Sequence, residues 1–287
     1  MPRKSPPKSD RPMVIACVSD LHAGSTTALC PPVVHLDDGG EYRASKPQQW
    51  LWERWGAFWG QVEQARRKRD AILVQVYNGD LTEGDHHKTT QILSGNPTAQ
   101  ATVVNQVLTV PLGLKPDHII GLRGTEAHVG PSAAYEERVF TGLRKDGWPV
   151  VRDEVTGNSS HWHHVIEHQG VLVDLAHHGK FGSRPSTKMN TVIALAFDIF
   201  TRAAIAGVPH PHLAIRSHLH QFGDTFTAYP TRLIQMPAWQ LATAFIHRIN
   251  PGAISDIGGI IITIADGKYE VEPVIYHPEA NPTWSAK

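Results

Sequence analysis

Residues 71–87 have the sequence AILVQVYNGDLTEGDHH, and the rest of the chain is organised around this stretch. A run of apolar, largely β-branched residues at positions 72–77 ends at Asn78, Gly79 and Asp80. This pattern is typical of a buried strand that stops abruptly. Ligands of open α/β sheets bind outside the carboxyl ends of the strands, so Asp80 is a candidate functional residue. Gly-Asp pairs also occur in plain turns, and Asp80 alone therefore decides little.

Four further apolar runs end in the same way, with a carboxylate or an imidazole close behind the strand. The run 13–18 leads to Asp20 and His22, which are two residues apart and so lie on one side of an extended segment. The runs 118–122, 171–176 and 213–216 lead to Glu126 and His128, to His177 and His178, and to His218 and His220. Five such endings in one chain indicate a shared functional site.

The collected side chains have the chemistry of metal ligands. Imidazole suits Zn, Fe, Mn or Ni, and carboxylate suits harder cations. A mixed set of about seven such groups is too large for one tetrahedral ion and is appropriate for two. The sequence therefore predicts a site for two divalent metal ions.

The order of these motifs resembles that of the calcineurin-like metallophosphoesterase superfamily, the binuclear metallophosphatases. The motifs are Asp-x-His from Asp20, Gly-Asp at Asp80, a Gly-Asn-His-like loop from Gly124, His-Gly at His178 and x-His-x-His ending at His220. The resemblance implies an α/β fold, a four-layer α/β/β/α sandwich of two mixed β-sheets flanked by helices. Alternation of predicted strands and helices along the chain agrees with this class.

The resemblance also implies a role for each motif residue. The implied ligands are Asp20, His22 and His220 for one metal, His178 and His218 for the second, and Asp80 as a bridge between both. His178 is preferred to His177 because the family's ligand commonly precedes a glycine directly, and this choice stays open.

One loop departs from the family pattern. The family has Gly-Asn-His, whereas this chain has GTEAH at residues 124–128, without an Asn. Two registers are open: Thr125 takes the Asn position, or Glu126 supplies the metal ligand and His128 takes the place of the family's catalytic histidine. The second is preferred because a carboxylate binds a divalent cation better than a neutral hydroxyl does. In an extended loop, moreover, Glu126 and His128 point to the same side.

The implied reaction is hydrolysis of a phosphomonoester or phosphodiester by attack of a metal-bridging hydroxide, with His128 as proton donor to the leaving oxygen. Because a Glu126 ligand adds negative charge, harder ions such as Mn²⁺ are expected, with Fe, Zn, Ni or Mg as alternatives. Arg123, Lys180 and Arg184 lie near the ligand loops and are candidates for binding phosphate oxygens.

Two other functions remain open at this point. The first is a metal-dependent nuclease acting on DNA or RNA, and the second is a catalytically idle metal-binding scaffold. GTEAHVG and PAWQL resemble stretches of phage-encoded members, for which nucleic acid would be a substrate. The formal net charge is zero, so nucleic acid or an anionic membrane would need a local basic patch. The expected partner is a phosphorylated small molecule or nucleic acid as substrate, with no membrane and no obligate protein partner.

The composition of the chain and its turn residues predict the domain organisation. Residues 1–12 are expected to form a disordered basic tail, and residues 13–287 a single domain. Within it lies an insert at residues 23–70 whose Trp-rich helix either covers a sheet or offers an aromatic and basic platform to nucleic acid. Asp266-Gly267 predicts a β-hairpin at residues 258–276.

The two cysteines, the histidines outside the motifs and the apolar segments are expected to have structural roles. Cys17 and Cys30 support neither a disulfide framework nor a cysteine metal site, so a cytoplasmic location is expected, in the host cytoplasm if the protein is phage-encoded. A helix capped by Ser186 is predicted at residues 187–206, and its Asp198 and Arg202 argue against a membrane span. An exposed strand face is expected to carry His161, His163, His164 and His168.

Overall fold

The structure is a computed structural model. It describes residues 10–36, 38–86, 89–179, 188–250, 252 and 254–279. Most of the predicted basic tail, residues 1–9, lies outside the described residues. The proposed helix cap Ser186 and the candidate phosphate-binding residues Lys180 and Arg184 also lie outside them.

Six strands form the first sheet. In spatial order they are β13 (Lys268–Tyr276), β12 (Ile257–Ala265), β1 (Met13–Val18), β4 (Ile72–Asn78), β5 (His118–Leu122) and β6 (Ser160–His161). The four strands from β1 to β6 are parallel to one another, whereas β12 and β13 run antiparallel to their neighbours. Strands β12 and β13 are joined through Asp266 and Gly267, so the predicted hairpin is present.

Five strands form the second sheet. In spatial order they are β10 (Gly223–Asp224), β11 (Arg232–Gln235), β9 (Leu213–Ser217), β8 (Val171–His178) and β7 (His164–His168). The central strands β8, β9 and β11 are parallel, and the outer strands β7 and β10 are antiparallel to them. A small separate hairpin consists of β2 (Val33–His35) and β3 (Glu41–Arg43).

The helices are α1 (Lys46–Arg69), α2 (Pro97–Leu112), α3 (Glu126–Val129), α4 (Ala134–Lys145), α5 (Lys188–Ala206) and α6 (Ala244–Ile249). Helices α1, α2 and α4 cover the outer face of the first sheet with one hydrophobic core. Helix α5 packs on the outer face of the second sheet, where Val192 and Ala196 meet Ala214 and Leu233. The two sheets therefore lie between two helical layers.

The continuous apolar strands follow from this layering. Val14 and Ala16 on β1 face the helices, whereas Ile15 and Cys17 face the second sheet. Neighbouring residues of a strand point to opposite faces, and here both faces are covered, so every position of β1 is buried. The α/β/β/α sandwich of two mixed sheets that the motifs implied is confirmed.

The Trp-rich helix covers the sheet. Ser45 and Gln48 form a capping box, so α1 begins at Lys46. Trp55 and Trp59 are fully buried, and the Trp55 ring meets Trp239 edge to face at 4.8 Å. Because these rings lie inside the core, they are not available as a stacking platform for nucleic acid.

Helix α5 differs from the other long helices in its exposure. By length and composition alone, Met189–Ala206 could cross a membrane, and 11% of this stretch is buried. Its Asp198 and Arg202 form an ion pair of 2.9 Å one turn apart on the outer side. The absence of a membrane partner therefore stays a prediction.

The exposed strand face that was expected to carry four histidines is only partly present. His163 is exposed, but His161 and His168 are buried. The Nε2 atoms of His161 and His168 lie 3.2 and 2.9 Å from the carbonyl oxygens of Val151 and Arg11. These contacts explain how the polar rings can be buried, and the expectation of exposure was wrong for them.

We expect Trp55→Ala to destabilise the fold by about 3–5 kcal/mol, because it leaves a cavity between α1 and Trp239 and removes the Nε1 hydrogen bond to the Val107 carbonyl. Urea unfolding monitored by circular dichroism measures this loss. The control is Trp162→Ala at an exposed site, which should cost less than about 1 kcal/mol. Equal losses in both variants would contradict the assigned packing of α1.

Candidate metal centre

The segments singled out in the sequence meet at the carboxyl edges of the two sheets. Asp20 follows β1, Asp80 follows β4, and residues 124–128 follow β5 in the first sheet. His177 lies near the end of β8, and His218 follows β9 in the second sheet. Parallel strands present their carboxyl ends at one edge, which explains why distant sequence segments share one site.

The backbone at this edge is held in an unusual conformation. The following candidate ligands have φ between 44° and 78°: Asp20, His22, Asp80, His218 and His220. Such left-handed conformations are uncommon for residues with a side chain and cluster at functional sites. Two backbone hydrogen bonds join the loops after β1 and β4, from Asp20 N to Gly79 O at 2.9 Å and from His22 N to Asp80 O at 3.0 Å.

Two glycines allow the loops to approach one another. Gly79 has φ of +90°, and a Cβ there would press on the His177 ring and come within 2.9 Å of the Gly124 Cα. A Cβ on Gly124 would overlap the backbone and the carboxylate of Asp80. Both positions therefore need glycine for close packing, and Gly79 needs it for its positive φ as well.

The first ligand group consists of Asp20, His22 and His220, whose ligand atoms lie within 4.8 Å of one another. The two Nε2 atoms are 3.1 Å apart, and His220 Nε2 is 3.2 Å from Asp20 Oδ1. Ligands about 2.1 Å from a common ion lie roughly 3.0–3.4 Å apart, so these spacings fit a metal. Asp20 Oδ1 is buried and accepts no hydrogen bond from the described residues, which leaves it available to a cation.

The second ligand group consists of Asp80, His177 and His218. His177 Nδ1 lies 2.6 Å from the Asn78 carbonyl oxygen. A carbonyl can only accept, so Nδ1 carries a proton, and Nε2 is the nitrogen that a cation can bind. That Nε2 atom is 3.1 Å from Asp80 Oδ2, as expected of two ligands that face one ion.

Asp80 connects the two groups. It belongs to the second group, and it also lies within 4.8 Å of ligand atoms on His22 and His128. Its Oδ1 accepts a hydrogen bond of 2.6 Å from Thr125 N, which orients the carboxylate. This position suits the predicted bridging role, although the ligand assignments themselves stay predictions.

The carboxylates give the site a strong preference for positive charge. Burial lowers the pKa of His22, but Asp20 and Glu83 outweigh it and raise the pKa to about 10. Burial also opposes the charge on His177, whose pKa Asp80 raises to about 9. Divalent cations bind to neutral imidazoles, so metal binding at this site would displace these ring protons.

The structure corrects the preferred register of the atypical loop. Residues 126–129 form the helical turn α3, in which His128 N donates to Thr125 O at 2.9 Å. Residues three apart share a helix face, so Thr125 and His128 point to the site and Glu126 is exposed to solvent. Thr125 Oγ1 is 3.0 Å from His218 Nδ1, whereas Glu126 belongs to none of the ligand groups among the described residues. The extended loop on which the interpretation of Glu126 as a ligand rested is not present, because residues 126–129 are helical, and the ligand in this loop stays a prediction.

The structure favours the alternative His177 over His178 as a candidate ligand. His177 is 1% exposed and contacts Asp80, whereas His178 is exposed. The His178 ring also lies near the cluster, 5.0 Å from the centre of the His218 ring, but it belongs to none of the ligand groups among the described residues. The alternative His177 takes the position in the second group.

Arg123 has a structural role. Its Nε donates to Ser160 Oγ at 2.9 Å, and its guanidinium lies 3.6 Å from the Glu137 carboxylate and 5.2 Å from the centre of the Trp162 ring. These contacts engage the cation in structural interactions, and its predicted role in binding phosphate stays a prediction. The other candidate, Lys180, lies outside the described residues.

Three residues near the site were missed in the sequence. Glu83 and His86 form a further group of potential ligands with His128. Buried Glu136 accepts hydrogen bonds from Gly124 N at 2.7 Å and Leu81 N at 3.2 Å, and so holds two ligand loops together. The stretch GDLTEGDHH contained a signal for Glu83 and His86, but Glu136 lies within a helix where no pattern marks it.

Comparisons with known proteins show similarity in structure only. No family model and no curated protein matches the chain. Among solved structures, it is similar to an archaeal phosphodiesterase at 10% identity and a TM-score of 0.40, over 92% of this chain and 100% of that one. It is also similar to a dimetal phosphatase from Danio rerio at 7% identity and a TM-score of 0.45, over 91% and 95%. A third is Vps29 complexed with zinc from Entamoeba histolytica, at 12% identity and a TM-score of 0.36, over 92% and 99%.

We expect Asp80→Asn to lose both metals, because the amide cannot supply the charge that a bridging position requires. Elemental analysis after dialysis against Mn²⁺ measures the content, with two ions per chain expected in the unaltered protein. His163→Ala, which changes an exposed imidazole outside both groups, is the matched control and should keep both ions. A normal metal content in Asp80→Asn would exclude Asp80 as the bridge.

The loop register is tested by Glu126→Ala and Thr125→Val. The first removes an exposed carboxylate and should leave metal content unchanged, whereas the second removes the hydroxyl beside His218 and should weaken binding to the second group. Dialysis at a series of limiting Mn²⁺ concentrations gives the affinities. Loss of one ion in Glu126→Ala, with none in Thr125→Val, would restore the extended-loop register.

Proposed function

We propose that the chain is a metal-dependent phosphoesterase of the calcineurin-like kind that holds two divalent cations between its two ligand groups. The observation that supports this most directly is the position of Asp80, whose carboxylate belongs to the second group and also lies within 4.8 Å of a ligand atom of His22 in the first. Two cations held in this way would supply Lewis acidity and an activated water for attack on phosphorus. The expected substrate is a phosphorylated small molecule.

The protein's own residues orient the reacting groups. Ser19 Oγ donates to Asp20 Oδ2 at 2.6 Å, and Thr125 N donates to Asp80 Oδ1, so both carboxylates have one oxygen fixed by the protein. The Asn78 carbonyl fixes the ring of His177. Such supporting contacts hold metal ligands in a single orientation before the metal arrives.

His128 is the proposed proton-transfer residue. Its Nδ1 lies 2.7 Å from the Glu83 carbonyl oxygen, so Nδ1 carries a proton and Nε2 is left for the reacting groups. Burial and the nearby charge of His22 lower the pKa of His128 to about 4, which keeps the ring neutral at rest. His128 Nε2 would therefore take up the proton that the attacking water loses and deliver it to the leaving oxygen.

The choice of metal is wider than the sequence suggested. Without Glu126, the two groups contain the carboxylates of Asp20 and Asp80 and the four imidazoles of His22, His177, His218 and His220. Imidazole-rich sites suit Zn and Fe as well as Mn, so the argument from Glu126 for a harder ion no longer holds. We retain Mn²⁺ as the first ion to test.

The alternatives have weaker support. A nuclease would need a surface for polyanions, and Trp55 and Trp59 of α1 cannot contribute to one because they are buried. An idle scaffold would not need His128 beside Asp80 and His22. The free, buried Cys17 and Cys30 suit the proposed cytoplasmic location, and phage origin stays a prediction.

A substrate panel tests the proposal. With added Mn²⁺, Zn²⁺ or Fe²⁺, we expect turnover of an aryl phosphomonoester or an aryl phosphodiester, because these leaving groups need little protonation. Cyclic nucleotide and single-stranded DNA in the same panel distinguish the nuclease alternative. Chelation and Asp80→Asn should each abolish turnover. A protein that binds two ions and turns over no member of the panel would favour the scaffold.

A further inference from the structure

We propose that Glu83 is a positioning residue that orients both the metal ligand His22 and the proton-transfer residue His128. This inference rests on the proposed function. The Glu83 side chain is 3% exposed and reaches His22, with Oε2 3.0 Å from Nδ1. The Glu83 backbone carbonyl reaches His128, with O 2.7 Å from Nδ1. One residue thus contacts the outward nitrogen of two imidazoles in the site.

The two contacts select the same tautomer in both rings. A carbonyl oxygen and an ionised carboxylate can only accept, so Nδ1 is the protonated nitrogen of His128 and of His22. The contact to His22 is short but bent away from ideal hydrogen-bond geometry. Nε2 is then the nitrogen that faces the site in both rings, and His22 Nε2 lies 3.1 Å from His220 Nε2. The His22 and His128 rings meet edge to face at 4.5 Å.

Glu83 is itself held firmly in place. Gln240 Nε2 donates to Glu83 Oε2 at 3.0 Å, and Glu83 N donates to Ala23 O at 3.2 Å. The preceding Thr82 donates its hydroxyl to the His128 carbonyl oxygen at 2.8 Å. The segment around Glu83 therefore joins the loop after β1 to helical turn α3, and it fixes the distance between the two imidazoles.

A carboxylate at this position affects how His22 binds a metal. A metal-ligating histidine whose second nitrogen donates to a carboxylate is a better electron donor to the metal and is fixed in its ring orientation. Loss of such a partner typically reduces metal affinity 10–100-fold. The same carboxylate has a second possible role, because Oε1 lies 3.3 Å from His86 Nε2. With His86 and His128, Glu83 could instead bind a third cation, and the experiment must separate these roles.

The decisive variant is Glu83→Gln in the full chain, which keeps the size of the side chain and removes its charge. Mn²⁺ binding by equilibrium dialysis should show one site weakened 10–100-fold and the other unchanged. The matched control is Glu137→Gln, a partly buried carboxylate that accepts hydrogen bonds from Ser159 and Ser160 and touches no candidate ligand. It should retain both affinities.

Ring ¹⁵N chemical shifts distinguish the side chain from the backbone of Glu83. In the Zn²⁺-loaded protein, Glu83→Gln should change the Nδ1 signal of His22, whereas the His128 ring should keep its Nδ1 signal because the backbone carbonyl remains. If Glu83 had only a structural role, the His22 signal would not change separately from the His128 signal. Thermal unfolding in the presence of chelator verifies that the variant is folded, and His86→Ala supplies a second variant if it is not.

The outcomes separate the two proposals. If the unaltered protein binds two ions and Glu83→Gln binds both as tightly, the positioning role is wrong while the proposed function stands. If the unaltered protein binds three ions and His86→Ala loses one, Glu83 is a ligand and the positioning role is replaced. If the unaltered protein binds fewer than two ions, the proposed function itself fails.

Discussion

The architecture of the site depends on Asn78, which joins the two sheets at their carboxyl edges. Its Nδ2 donates to the Ala176 carbonyl at 3.0 Å and to Ser217 Oγ at 2.6 Å, so the end of β4 is bonded to the ends of β8 and β9. Its own carbonyl oxygen accepts from His177 Nδ1. Buried polar groups have to be satisfied, and these particular bonds bring Asp80 next to the histidines of the other sheet.

The orientation of the candidate ligands depends largely on the hydrogen-bond acceptors that contact their outward nitrogens. His177 and His128 both donate Nδ1–H to backbone carbonyls, and the Glu83 carboxylate lies beside Nδ1 of His22. These contacts thereby turn the Nε2 atoms toward the proposed position of the cations. Because the backbone supplies two of these acceptors, the geometry depends on exact loop conformation as much as on the identity of side chains.

The loops that carry the candidate ligands are strained and tightly packed. Asp20, His22 and Asp80 have positive φ, and Gly79 and Gly124 approach one another's loops closely. Glu136 accepts from backbone amides of both loops, which offsets part of the cost of such conformations. Burial and the nearby Asp80 charge raise the pKa of Glu136 to about 8, in keeping with its place behind the site.

The sequence by itself determined the layers and most of the cluster. Uninterrupted apolar runs identify the buried strands β1, β4 and β9. The polar residues within a few positions of their ends are the candidate ligands Asp20, His22, Asp80, His218 and His220. Only the tertiary structure decided between Thr125 and Glu126, since α3 coils where an extended loop was assumed. It also decided between His177 and His178, because the face of β8 that meets Asp80 depends on sheet packing. Glu83 and Glu136 act through contacts between distant loops, and such contacts leave no local pattern in the chain.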